Sequence, residues 1–252
     1  MVIKRFEVPD WVRSVLICDP TDIWGNVVGM GLAELAAILS PCHRFDKRGS
    51  VLFWDTFEDG LGAWRTTTEG TLAEVELSTS GAHYGAYSIK LTGGSTGAGN
   101  ARIYREGPLP VKGKLGFEAS FSKPSDIQDI DFHLEYWDGI NHIDGIIRYN
   151  DVDLKLQYCD VDGAWQDIVS FPSFGYGEWY FSTVKLVVDL VNGKYVRAMF
   201  NDVEYPLTDI TPYTVLDSTA PSVGVGVMLH SRPGYNDVAY VDSCVLTQNE
   251  PA

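Results

Sequence analysis

From Val51 onward apolar and polar positions alternate at nearly every second residue, the mark of β-strands with one face buried. Residues 72–77, 115–121, 130–136 and 154–158 each read this way. Residues 184–191 and 194–200 do so on either side of Asn192-Gly193, the strongest short hairpin signal in the chain. Asn-Asp-Val recurs at Asn150, Asn201 and Asn236 as turn chemistry, since Asn and Asp satisfy neighbouring backbone groups. Glycines 93, 94, 97 and 99 mark a long loop expected to be flexible. Many short strands, with 25 glycines and 12 prolines among 252 residues, predict an all-β fold. Its body is a two-sheet antiparallel sandwich over residues 51–247, followed by a tail, 248–252.

Residues 1–50 carry a different pattern. Residues 13–18 are a short apolar strand candidate, and Asp19-Pro20-Thr21-Asp22 is a turn. Val28, Leu32, Leu35, Ala36 and Leu39 then fall at helical spacing, with Asn26 placed to cap the helix and Ser40-Pro41 to stop it. Gly29 and Gly31 weaken that helix, each costing roughly 1 kcal/mol against alanine. One short helix and one strand cannot enclose a core. This N-terminal arm is therefore expected to bury Val15, Ile17, Leu32, Leu35 and Leu39 against something else, a neighbouring subunit rather than its own sandwich.

Composition narrows the function. A formal charge of −15 and a pI near 4.6 exclude nucleic acid and anionic lipid as partners, because phosphate-rich partners need a positive field. No apolar run is long enough to cross a bilayer, so no membrane insertion is expected. No signal peptide is recognisable, because Glu7, Pro9, Asp10 and Arg13 interrupt any apolar stretch behind Lys4 and Arg5. Cys18, Cys42, Cys159 and Cys244 are too scattered for zinc; they read as buried thiols, with a Cys18–Cys42 staple of the arm as the alternative. P-loop, dinucleotide-binding, H-E-x-x-H and nucleophile-elbow motifs are all missing.

The opening Phe57-Glu58-Asp59-Gly60, the strand Tyr87-Ser88-Ile89-Lys90-Leu91 and the closing Tyr240-Val241-Asp242 resemble the first and last strands of concanavalin-A-like and carbohydrate-binding-module jelly rolls. That resemblance implies a jelly-roll sandwich with adjacent first and last strands. It also implies a structural calcium ion (Ca2+) shared by Glu58 and Asp242, with Asp55 or Asp59 as helpers. A calcium-free carboxylate cluster is the alternative. The row Asp129-Ile130-Asp131-Phe132-His133-Leu134-Glu135 resembles the catalytic strand of laminarinase-type glycoside hydrolases. The resemblance would make Asp131 the nucleophile and Glu135 the acid/base, with His133 where that family has an Asp. Strand alternation alone puts Asp129, Asp131, His133 and Glu135 on one face, which is expected to be a solvated polar face. The same face is open to sugar binding through Tyr136, Trp137, Trp165 and Trp179.

Three roles follow. The first is a structural, self-assembling subunit of a virion or extracellular surface assembly, whose arm ties it into a homo-oligomer or polymer. The second is a non-catalytic glycan-binding module. The third is a laminarinase-like glycoside hydrolase.

Overall fold

The computed structural model describes residues 46, 48–97, 99–107, 113–171 and 176–251, in a compact unit that begins at Phe45. The arm residues Val15, Ile17, Leu32, Leu35 and Leu39, the expected helix, Cys18 and Cys42 lie outside the described residues. Every described element is a strand, and the strands form two antiparallel sheets. The first runs in the order β13 (Val203–Pro206), β12 (Lys194–Phe200), β11 (Gly177–Asp189), β6 (Lys114–Lys123), β16 (Val238–Gln248), β4 (Ser88–Thr92), β3 (Glu74–Ser78), with β1 (Ser50–Asp55) also on β16. The second runs β10 (Trp165–Ser170), β9 (Lys155–Cys159), β8 (Asn141–Asn150), β7 (Asp129–Trp137), β15 (Ser222–His230), β5 (Asn100–Gly107), β2 (Arg65–Glu69), with β14 (Tyr213–Leu216) on β8.

Alternation builds the core. Leu115, Phe117, Ala119 and Phe121 of β6 face inward with Val184, Leu186 and Val188 of β11. They share the core with Ile130, Phe132, Leu134 and Tyr136 of β7 and with Val223, Val225, Val227 and Leu229 of β15. Cys159 and Cys244 are buried thiols. The β11–β12 hairpin forms where expected, through a four-residue loop in which Gly193 takes φ 60° and Asp189 accepts the Val191 and Asn192 N–H groups.

The first and last strands are adjacent, as the terminal motifs imply. One edge of β16 pairs with β4 over residues 238–241 and with β1 over 244–248, while the other edge pairs with β6 throughout. A register shift between Asp242 and Val245 marks the hand-over, and Ser243 there takes φ 57°. One expectation is corrected. The loop at glycines 93–99 is tied rather than free: Gly93 N–H donates to Asp237 O and Asn236 Nδ2 donates to Gly93 O. A Cβ at Gly94 would meet Gly70 Cα at 2.5 Å, so close backbone approach explains that glycine. In the tail, Glu250 is buried and its N–H donates to Lys114 O.

Candidate functional site

The polar row of β7 lies on the outer face of the second sheet, and it is not solvated. Asp129, Asp131, His133 and Glu135 are only 2–6% exposed. Buried carboxylates must be paired, and their partners come from neighbouring strands. Arg148 of β8, opposite Asp131, donates through Nε and Nη2 to both Asp131 oxygens at 2.7 Å. His230 Nε2 lies 3.2 Å from Asp131 Oδ2. Burial acts to raise the Asp131 pKa, but these hydrogen bonds outweigh it and hold the carboxyl well below the carboxylate range. Asp129 has weaker help: burial and the Asp131 charge push it up to about 6. Glu135 pairs with Arg102 of β5 and lies 3.5 Å from His142 Nε2 of β8. Against the pull of burial, these groups bring its pKa down.

His133 Nδ1 lies 3.2 Å from Asp144 Oδ2 and 3.3 Å from Oδ1. Burial works against the imidazolium, yet the charge and hydrogen bond of Asp144 raise the His133 pKa. His142 is raised in the same way, burial being outweighed by Glu135.

Long side chains cover this ionic floor. Gly224 and Gly226 of β15 stand opposite Glu135 and His133 on one side and opposite Glu106 and Tyr104 of β5 on the other. A Cβ at Gly224 would lie 1.9 Å from Tyr104 Oη, and one at Gly226 would lie 3.3 Å from Arg102 Nε. The glycines thus leave the path by which two β5 side chains cross β15 to reach β7. At the rim, Trp137 stacks on His142 with centroids 4.3 Å apart and planes 1° apart, and its Nε1 donates to Asp217. Trp165 of β10 stacks under the Arg148 guanidinium at 3.8 Å.

This face also concentrates polar atoms left unsatisfied. Among the described residues six buried side-chain atoms have no hydrogen-bond partner, and five of them lie here: Arg102 Nε, Asp129 Oδ1, His133 Nε2, His142 Nε2 and Ser222 Oγ. Each such atom costs about 1–3 kcal/mol. Their clustering marks a place completed by something polar.

Of the aromatic candidates, Trp137 and Trp165 stand on this face, half-buried. Tyr136 does not: it is 1% exposed in the core, because alternation sends it opposite Glu135. Trp179 is 65% exposed but belongs to β11 of the other sheet. Arg102, Tyr104, His142, Asp144, Arg148, Gly224 and Gly226 were not singled out from sequence. The Gly-Val-Gly-Val alternation at 224–227 was the available signal, since glycine at every second strand position marks a face that something must approach closely.

Glu58 and Asp242 both clasp one loop. His83 and Tyr84 N–H donate to Asp242 Oδ2 at 2.8 Å, and Ala86 and Tyr87 N–H donate to Glu58 Oε1 at 2.8 and 3.0 Å. Gly85, at φ 69°, lies so close to Glu58 that a Cβ would stand 2.2 Å from Oε1. Burial and the charge of Glu58 push Asp242 up to about 7. Asp55 is engaged elsewhere, accepting from Phe57 N–H, Trp64 Nε1 and Arg105, and Asp59 is exposed. Calcium takes six to eight oxygens. Glu58 Oε1 and both Asp242 oxygens accept amide hydrogens, which makes the pair a clasp on this loop.

The outer face of the first sheet holds a second buried ionic cluster. Lys185 Nζ lies 2.9 Å from Asp46 Oδ2 and 2.7 Å from Glu250 Oε1, and Arg197 pairs with Glu250. Glu118 Oε2 accepts the Asp46 N–H at 3.0 Å. Burial pushes the Glu118 carboxyl up to about 8, despite Lys185 nearby.

No protein-family model and no curated protein matches this chain. Solved structures do. Cellulose induced protein, Cip1, aligns with a TM-score of 0.53 and 18% identity, over 77% of this chain and 96% of that one. An endo-beta-1,4-glucuronan lyase from the fungus Trichoderma reesei aligns with a TM-score of 0.52 and 10% identity, over 79% and 96%. The lectin UEA-II complexed with galactose aligns with a TM-score of 0.51 and 13% identity, over 79% and 100%. At these identities the likeness is one of fold alone: a two-sheet antiparallel β-sandwich.

Proposed function

We propose that the protein binds saccharides on the outer face of the second sheet, between the Trp137–His142 stack and Trp165. The observation that carries this reading is the gathering there of five of the six unsatisfied buried polar atoms. Sugars offer donors and acceptors along an apolar ring, and the face supplies unsatisfied groups of both kinds beside flat aromatic surfaces. The fold neighbours support it, since they include a lectin complexed with galactose and a lyase named for glucuronan. Binding is preferred to hydrolysis by the Asp131–Glu135 pair because both are held in the ionised form by Arg148 and Arg102. A glycosidase needs one carboxyl kept protonated as the acid. The assembly role expected from the arm depends on residues outside the described ones and is a separate property of the chain.

The test is a glycan array followed by titration of intrinsic tryptophan fluorescence. Binding is expected, with Trp137→Ala weakening it at least tenfold and Trp179→Ala leaving it unchanged. A folded protein that binds no glycan overturns the reading. So does a protein that needs Trp179 and not Trp137.

A further inference from the structure

We propose that the saccharide bound on this face is acidic, and that its carboxylate is received between Arg102, His133 and His142. The inference rests on the saccharide-binding reading above and names the class of ligand. Four unsatisfied atoms lie at the Glu135 end. Three are nitrogens from three strands of one sheet: Arg102 Nε from β5, His133 Nε2 from β7 and His142 Nε2 from β8. The fourth is Ser222 Oγ of β15, opposite Trp137, which can donate or accept. His133 is only 5% exposed, so bulk water does not freely satisfy it.

An arginine Nε always carries hydrogen. Both imidazoles sit beside carboxylates, His133 against Asp144 and His142 against Glu135, and these neighbours favour the charged ring in which both nitrogens donate. The site therefore presents donors, while its carboxylates are engaged: Glu135 by Arg102, Asp144 by His133, and Asp131 by Arg148 and His230. His142 Nε2 lies 3.5 Å from Glu135, too long for a good hydrogen bond. A sugar hydroxyl that accepts here must place its own hydrogen somewhere, and Ser222 Oγ is the one unsatisfied oxygen at this end. A carboxylate accepts only, through two oxygens, and matches guanidinium and imidazolium donors in charge as well. The remaining ionisable neighbours are Tyr104, kept protonated by burial and by Glu135, and Asp217 at the rim, bonded to Trp137. Arg102 and His142 keep 25% and 18% of their side-chain surface open, which gives the ligand its approach.

The formal charge of −15 makes indiscriminate attraction of polyanions unfavourable, so a preference for acidic sugar reports a local site. The experiment is calorimetric titration of the full chain with two oligosaccharides of one linkage and length, a β-1,4-linked oligoglucuronate and the corresponding oligoglucose. Each is run at pH 6 and pH 8. The acidic ligand is expected to bind at least tenfold more tightly at pH 6, and its advantage should shrink at pH 8 as the imidazoles lose charge. His142→Gln, at a partly buried rim position, should reduce the advantage without unfolding the protein, and His133→Gln should do the same where it folds. Equal or tighter binding of the neutral oligosaccharide overturns this inference and leaves the saccharide site standing. An advantage unchanged by pH and by His142→Gln also overturns it. Failure of the folded protein to bind either ligand, or any glycan on the array, overturns both readings.

Discussion

Glu118 and Asp131 are both carboxylates in covered positions, and their neighbours drive them in opposite directions. Asp131 receives two guanidinium hydrogen bonds and a histidine, and it stays ionised. Glu118 receives one backbone N–H and shares Lys185 with Asp46 and Glu250, so burial prevails and its pKa rises to about 8. The unfolded chain holds this carboxyl near its ordinary value of 4.5. A raised carboxyl pKa means that the folded state binds the proton more tightly. Glu118 therefore contributes fully at pH below about 4.5, and that contribution fades as pH climbs through 8. Glu118→Gln keeps the acceptor for Asp46 and removes the charge. Urea melts should show little difference from the parent near pH 5 and a gain on the order of 5 kcal/mol near pH 9. A variant weaker at both pH values would mean that Glu118 works as an ionised partner of Lys185. Gly224 offers a steric test at the same scale. Gly224→Ala places a methyl group where Tyr104 Oη now lies, so Tyr104 must swing away from Glu135. The expected cost is about 1–3 kcal/mol of stability, with loss of saccharide affinity. Retained affinity would show that Tyr104 has no part in the site.

At the scale of elements, β16 is where the two ends of the sandwich meet, and Asp242 stands where β4 leaves its edge and β1 takes over. Its carboxylate fills the gap with three backbone N–H bonds, from His83, Tyr84 and Ser243. Asp242→Ala should cost about 2 kcal/mol near pH 5, since two loop donors lose their acceptor. Because the Asp242 pKa is raised to about 7, the parent itself loses stability as pH rises through that value, and the gap between the two proteins should narrow by pH 8. A chelator should leave the melting temperature unchanged, because amides already satisfy these oxygens. A clear fall in chelator would instead show that calcium is shared by Glu58 and Asp242. The adjacency of β1 and β16 was legible from Phe57-Glu58-Asp59-Gly60 and Tyr240-Val241-Asp242, since the two motifs sit on paired ends. The β7 row was legible as a face, but its burial was not. Alternation says which way Asp131 points and nothing about what lies over it. The covering side chains arrive from β5 and β8 through pairings distant in sequence, such as Arg148 opposite Asp131. Tyr136 was misplaced for the converse reason: an aromatic beside Trp137 looks like a platform until the pleat assigns the two to opposite faces.

For the whole molecule, the sandwich closes its own core. The buried cluster and the hydrophobics packed on it run from Phe53 to Leu246, and both sheets contribute to it. Among the described residues before Val51, Asp46 and Arg48 join the ionic cluster on the outer face of the first sheet. A chain beginning at Phe45 is accordingly expected to fold and unfold cooperatively, with its saccharide affinity intact. From the sequence pattern we expect Val15, Ile17, Leu32, Leu35 and Leu39 to be buried by a second copy of the chain. Native mass at low micromolar concentration separates the cases. The full chain is expected to be larger than a monomer, and the chain from Phe45 to be a monomer. Changing Leu32 and Leu35 together to Asp should convert the full chain to folded monomers, since two charges placed in an apolar contact oppose its formation. An oligomer that survives both changes would place the association on the sandwich itself. A chain from Phe45 that fails to fold would show that the arm completes its own domain.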